Sequence, residues 1–197
     1  MLARARRAWA QGPAVGDAIF ADEIPSSTTE AECLRLAELA RGRRVLEIGT
    51  YFGRSTVSLA STAAAVHTID VHPADEISGD DTLAGLMQNL DRYELRQKVV
   101  VHVGFSQLIL PLLKPASFEL AFLDAQHQRE PVEEDLERLL PLLRPGGVIA
   151  FHDYGVPGVE HRGRWDPFGV TEVVDEFAGS RGLSVELVET LAVVQLP

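Results

Sequence analysis

The chain has 197 residues, 46% of them hydrophobic, which suits one domain with a sizeable core. Its net charge of -11 opposes attraction to nucleic-acid backbones and anionic membranes, so neither is expected as a partner. The single cysteine, Cys33, excludes an intrachain disulfide framework, and no segment is long and apolar enough to span a bilayer. Arg4, Arg6 and Arg7 have no apolar run behind them, unlike a signal peptide, so a soluble, cytoplasmic protein is expected.

Residues 1–26 are weakly patterned and read as an N-terminal arm, with Trp9 and Phe20 as a substrate wall or a homodimer contact. Residues 27–197 read as one domain. Ser27-Thr28-Thr29-Glu30 has the form of a capping box and predicts a helix to Ala40, punctuated by Gly42. Strand and helix patterns then alternate. Strands are expected over Arg44–Ile48, Val66–Asp70, Val99–Val103, Phe118–Leu123 and Val148–His152. Helices are expected over Ser55–Ser61, Thr82–Arg92, Gln107–Leu113 and Val132–Leu143, with a loop at His72–Asp80 and a turn at Pro145-Gly146-Gly147. Tyr154–Phe168 is rich in Gly, Pro, His and Arg and predicts a loop, a lid or substrate wall carrying Trp165 and Phe168. After a helix over Val170–Ala178, strands Ser184–Val188 and Leu191–Gln195 follow with a gap too short for a crossover, so they must be antiparallel. The fold class is α/β: a mostly parallel sheet covered on both faces and closed by an antiparallel hairpin.

The richest stretch is Val45-Leu46-Glu47-Ile48-Gly49-Thr50-Tyr51-Phe52-Gly53-Arg54-Ser55. A strand ends in glycines and a helix begins, which offers a ligand close backbone approach and free N–H groups. Its Glu-x-Gly-x-x-x-Gly spacing is not the Gly-x-Gly-x-x-Gly of a dinucleotide site. Further on, Asp70 ends the second strand, Gly104-Phe105-Ser106-Gln107 follows the third, Asp124 and His127 follow the fourth, and His152-Asp153 ends the fifth. All lie at strand C-terminal ends, where open α/β sheets bind ligands.

In this order these motifs resemble the class I S-adenosylmethionine-dependent methyltransferases. More narrowly, they resemble the catechol O-methyltransferase-like and antibiotic-tailoring small-molecule O-methyltransferases. The resemblance runs from about Thr28 to the C-terminus and implies a Rossmann-like, seven-stranded methyltransferase sheet. It implies a cofactor site of Glu47, Gly49, Tyr51, Gly53, Ser55, Asp70, Phe105, Ser106, Gln107 and Asp124. Asp70 would take the ribose hydroxyls, Ser106 and Gln107 the adenine edge, and Phe105 the ring or the core. Glu47 would face the sulfonium side of the cofactor, or else pair with Arg44 or Arg54. Ser106 is also a fitting N-cap.

Asp124, His152 and Asp153 are ligand-type side chains converging from adjacent strands, a pattern that builds metal sites. By resemblance, a divalent cation of Mg or Mn type would hold the acceptor's oxygens there. Catechol-type enzymes carry an acid where His152 stands, and an imidazole tilts the preference from Mg toward Mn, Fe or Zn. The metal-free alternative makes His152 a base oriented by Asp153. His127 stands where the catechol enzymes carry a lysine base, and a histidine suits that task; its alternative is a surface position. The catalytic set is thus His127, Asp124 and His152. The expected function is methyl transfer from S-adenosylmethionine to a hydroxyl of a small-molecule acceptor, a phenol, catechol or sugar-like metabolite. The rival readings are an inactive cofactor-binding partner protein and a nicotinamide-dependent reductase.

Overall fold

The most apolar strands form the middle of the sheet. The computed structural model describes residues 16–72, 79–161 and 163–197; Trp9 and most of the predicted His72–Asp80 loop lie outside them. The strands are β1 (Arg44–Ile48), β2 (Ala65–Asp70), β3 (Val99–Val103), β4 (Phe118–Leu123), β5 (Leu143–Phe151), β6 (Gly158–His161), β7 (Arg164–Pro167), β8 (Val185–Val188) and β9 (Leu191–Gln195). The helices are α1 (Glu30–Ala40), α2 (Arg54–Thr62), α3 (Thr82–Arg92), α4 (Ser106–Ile109), α5 (Arg129–Leu139) and α6 (Val170–Arg181). Seven strands pair in the order β3-β2-β1-β4-β5-β9-β8. The first five are parallel, and β9 runs antiparallel to both β5 and β8, as the short gap between the last two strands requires.

Side chains alternate across the pleat, so each strand feeds two cores. Val45, Phe122 and Ala150 join Leu36, Leu59, Leu86 and Leu90 on the face covered by α1, α2 and α3. Leu46, Ile48, Leu123 and Phe151 join Leu110, Leu136, Val173 and Val174 on the opposite face. Ala21 and Ile24, from the segment before α1, are buried in the first core. No helix among the described residues is long and apolar enough to cross a membrane.

Four local expectations are corrected. The capping box is Thr29 with Glu32, two residues later than predicted: Glu32 N–H donates to Thr29 Oγ1 at 3.3 Å and Thr29 N–H to Glu32 Oε2 at 2.9 Å. The predicted Gln107–Leu113 helix is one short α-turn that tightens into a 3₁₀ turn at Leu110–Leu112, where Pro111 lacks the N–H to continue it. α5 starts three residues earlier than predicted and ends in the same way at Pro141, so Leu143 already belongs to β5. The predicted loop after β5 contains an antiparallel hairpin, β6–β7, separate from the main sheet.

Candidate active site

Register sets the site. Ile48 of β1 lies beside Ile69 of β2 and Leu123 of β4, and Leu123 lies beside Phe151 of β5. The next residue on each strand therefore forms a row across the sheet's C-terminal edge: Asp70, Gly49, Asp124, His152. The row is drawn tight at Gly49. Its φ is +93°, and a Cβ there would stand 2.0 Å from the carbonyl oxygen of Asp124. Gly49 is thus required for the approach of β1 to β4, whatever ligand lies above it.

Beyond this row opens a cavity of about 590 Å³, the size of a cofactor pocket. Gly49, Tyr51, Ser55, Asp70, Phe105, Ser106, Gln107, Asp124 and His127, all expected from the sequence, line it. Pro25, Ser26 and Ser27 add a wall from the segment before α1. Arg54 holds that wall, donating from Nη1 to the carbonyls of Ser26 at 3.2 Å and Thr28 at 3.0 Å, and from Nη2 to that of Asp22 at 3.0 Å. Asp70 accepts from the N–H groups of Thr50 at 2.8 Å, Tyr51 at 3.0 Å and His72 at 2.7 Å. Its carboxylate shapes the glycine loop and retains capacity for a ligand hydroxyl. Tyr51 sits at φ +52°, a left-handed position uncommon for a side chain of that size and held here by the Asp70 contact. Phe105 is 59% exposed, so it serves the cavity and not the core. Ser106 is the first residue of α4 and not its cap; the cap position is Phe105.

Glu47 and Gly53 do not line the cavity. Glu47 shares the Val45 face of β1 and is fully buried under α2, where Ser55 Oγ and Thr56 Oγ1 donate to its two carboxylate oxygens at 2.7 Å each. A Cβ on Gly53 would stand 2.5 Å from Leu86, so that glycine admits α3. Burial pushes the Glu47 carboxyl up to about 7, outweighing the hydroxyls of Ser55, Thr56 and Thr68 that favour the anion. In the unfolded chain it ionises near 4.5. The fold holds the neutral acid better than the anion, so stability falls as pH rises from about 4.5 to about 7 and stays reduced above that. The loss is on the order of 3 kcal/mol. Glu47→Gln is expected to flatten this part of the profile, which urea denaturation between pH 4.5 and 8 would check.

At the other end of the cavity, four titratable side chains meet. His127 Nε2 lies 2.9 Å from Asp153 Oδ2 and 3.7 Å from Asp124 Oδ1. Its ring stacks on Phe168 at 4.4 Å between centroids, which places one of the predicted loop aromatics against this cluster; Trp165 is exposed on β7. His152 Nδ1 lies 3.3 Å from Asp124 Oδ1 and 3.4 Å from Asp153 Oδ1. Asp153 reaches this position from a left-handed backbone, φ +61°.

Behind His152 stands Glu32, which the sequence reading did not single out. Glu32 is fully buried, and its Oε2 accepts from His152 Nε2 at 3.2 Å. Its Oε1 accepts from Thr190 N–H at 2.9 Å and Thr190 Oγ1 at 2.7 Å. Burial disfavours the Glu32 anion, but His152, Thr29 and Thr190 bring the carboxyl down to about 2. An ionised carboxylate only accepts, so His152 carries its hydrogen on Nε2.

Burial likewise opposes charge on both histidines, yet their carboxylate neighbours prevail. Asp124 and Asp153 raise His127 to about 9, and the same pair with Glu32 pushes His152 up to about 12. Asp124 and Asp153 are correspondingly held below the usual carboxylate range despite burial. His152 Nδ1 is buried and makes no well-directed hydrogen bond. An imidazole nitrogen lies between two carboxylates, with its other nitrogen backed by a third, and Asp124, His152 and Asp153 could together hold a metal ion.

Residues 46–154, more than half of the chain, match a family described as a methyltransferase domain. The chain belongs to this family. A catechol O-methyltransferase from Mycobacterium tuberculosis is 33% identical to this methyltransferase domain over 149 residues, 70% of this chain and 63% of the relative. Cofactor-bound Rv0187 from MTB is 27% identical and superposes with a TM-score of 0.67, covering 88% of this chain and 84% of that one. The O-methyltransferase TomG from Streptomyces achromogenes, solved in complex with SAM, shares the fold at a TM-score of 0.63 and 23% identity, over 86% of this chain and 81% of that one. Across five curated relatives that it matches, the chain spans only 16% to 63% of their length. The seven-stranded Rossmann-like sheet with its antiparallel hairpin is the methyltransferase fold that the sequence motifs implied.

Proposed function

We propose that this methyltransferase domain transfers the methyl group of S-adenosylmethionine to a hydroxyl of a small-molecule acceptor. One observation carries the reading: the glycine-loop cavity opens at Asp124 and His127 onto a cluster of two carboxylates and two imidazoles. The cofactor would lie with its ribose at Asp70, its adenine along Phe105, Ser106 and Gln107, and its sulfonium toward Asp124. The family match and the catechol O-methyltransferase relative support the same reaction class.

The acceptor oxygen attacks the methyl carbon in line with the carbon–sulfur bond. That bond breaks with its electron pair left on sulfur, and the acceptor's proton goes to the His127 imidazole. The protein's contribution is alignment and proton removal. Of the two histidines, His127 borders the cavity, which supports its role as the base. His152 is 3% exposed and tied through Nε2 to Glu32, which suits it to a holding role.

Asp124, Asp153 and His152 Nδ1 would hold a divalent cation, with a nitrogen donor that favours Mn, Fe or Zn over Mg. When bound, such an ion supplies Lewis acidity that lowers the pKa of an acceptor hydroxyl. The acceptor class is a phenol, catechol or sugar-like hydroxyl.

Calorimetry with S-adenosylhomocysteine, followed by labelled methyl transfer to a panel of phenols and glycosides with and without Mn²⁺, tests the proposal. Binding is expected in the wild type. Asp70→Ala, which removes the ribose acceptor, is expected to weaken it by about 1.5–3 kcal/mol. Failure to bind the nucleoside at millimolar concentration would defeat the reading.

A further inference from the structure

Asp135 is a buried acid in the wall of the large cavity, 5% exposed. It comes from α5, on the same stripe as Val132, Leu136 and Leu139, which are all core. A carboxylate on an apolar stripe needs partners, since an unmade hydrogen bond of a buried group costs about 1–3 kcal/mol. Asp135 has one on one side only. Burial raises its carboxyl, while the Ser106 hydroxyl and the charge of Arg138 act in the opposite direction. Its Oδ1 is buried with no hydrogen-bond partner.

Among the described residues, two other carboxylates line the cavity, and both are engaged. Asp70 holds three backbone N–H groups, and Asp124 holds the two histidines. Asp135 alone among the three presents an acceptor with nothing to accept from. Its place is also distinctive. α4 packs on α5, so Asp135 stands behind Ser106, on the wall formed by Phe105, Ser106 and Gln107; its other flank borders a small pocket that it shares with Asp124, His127 and His152.

We infer that Asp135 reads the exocyclic amine of the methyl donor's purine, accepting a hydrogen bond from it through Oδ1. The inference rests on the methyl-donor reading above and adds a specificity residue to it. An adenine presents an N–H donor at that edge. A hypoxanthine presents a carbonyl oxygen there, which a carboxylate repels. Asp135 thereby selects the adenine nucleoside over its deaminated form, and Ser106 holds the carboxylate in place.

The experiment compares S-adenosylhomocysteine with S-inosylhomocysteine by calorimetry on the wild type, Asp135→Asn and Asp135→Ala, with thermal melts to establish folding. The wild type should prefer the adenosyl compound by roughly 10- to 100-fold, the weight of one hydrogen bond to a charged group. In Asp135→Asn that ratio should collapse to about twofold or less, because the amide can turn either its oxygen or its NH₂ toward the ligand. A merely structural Asp135 would weaken both nucleosides alike and leave their ratio intact. An unchanged ratio in folded Asp135→Asn, or no discrimination by the wild type, overturns the inference while the methyl-donor reading stands. Binding of neither compound by the wild type overturns both.

Discussion

Replacing His127 by alanine is expected to lower methyl transfer roughly 10²–10⁴-fold, the usual weight of a general base, with S-adenosylhomocysteine affinity changed little. The pH profile should carry the signature. Asp124 and Asp153 hold the His127 imidazolium up to about 9, so the free base is scarce at neutral pH. Without added metal, wild-type turnover should rise about tenfold per pH unit and level off near 9. Any cation held by the two aspartates would offset their charge and move the inflection to lower pH. His127→Ala should lose that inflection and regain activity only where the acceptor hydroxyl ionises by itself. A variant as active as the wild type at pH 7 would remove His127 from the mechanism. Phe168, stacked on the ring, keeps it from swinging away from the carboxylates.

The second large effect is expected at Glu32. Glu32→Ala should destabilise the fold by about 3–5 kcal/mol, because it leaves the His152 cation buried with a partner missing. Two threonines lose their acceptor as well. Urea denaturation would measure the loss, and a change below about 1 kcal/mol would refute the assigned role. Glu32→Gln keeps the volume but replaces an acceptor oxygen with an NH₂ donor. It tests orientation separately from folding. If Glu32 aims His152 Nδ1 at the two aspartates, Mn²⁺ affinity should fall about 10–100-fold in Glu32→Gln, as for the outer partners of metal-binding histidines. Unaltered Mn²⁺ affinity in a folded Glu32→Gln protein would limit Glu32 to a packing role.

The sheet was legible because its central strands are nearly all apolar, and because the gap between Val188 and Leu191 leaves no geometry but a hairpin. The row of site residues was legible because each stands at the end of an apolar strand or one position beyond it. What escaped was phase. Glu32 sits among Glu30 and Glu38, and Asp135 among Glu133, Glu134 and Glu137, so each looks like one more solvated helix acid. Only their alignment with Leu36 and with Val132 and Leu136 marks them as inward-facing. Glu47 shows the converse. The alternation Val45-Leu46-Glu47-Ile48 puts it on the Val45 face, under α2, although its neighbourhood in the motif drew it toward the ligand. The β6–β7 hairpin escaped because glycines, prolines and charges mask any period-2 pattern between Tyr154 and Phe168.

Among the described residues that hairpin pairs with no other strand, and it meets the rest of the domain beside His127. Gln128 Nε2 donates to Asp166, Gly169 N–H donates to the carbonyl of His127 at 2.7 Å, and Phe168 covers the imidazole. Among the described residues of 158–167, none lines the large cavity. For a protein engineer they form a cassette, open to randomisation while the glycine-loop cavity stays as it is. The same separation is a route for natural divergence. Drift confined to ten residues would change what is admitted next to His127, and, on the reading proposed above, one ancestral domain could found a lineage of enzymes that differ in acceptor alone.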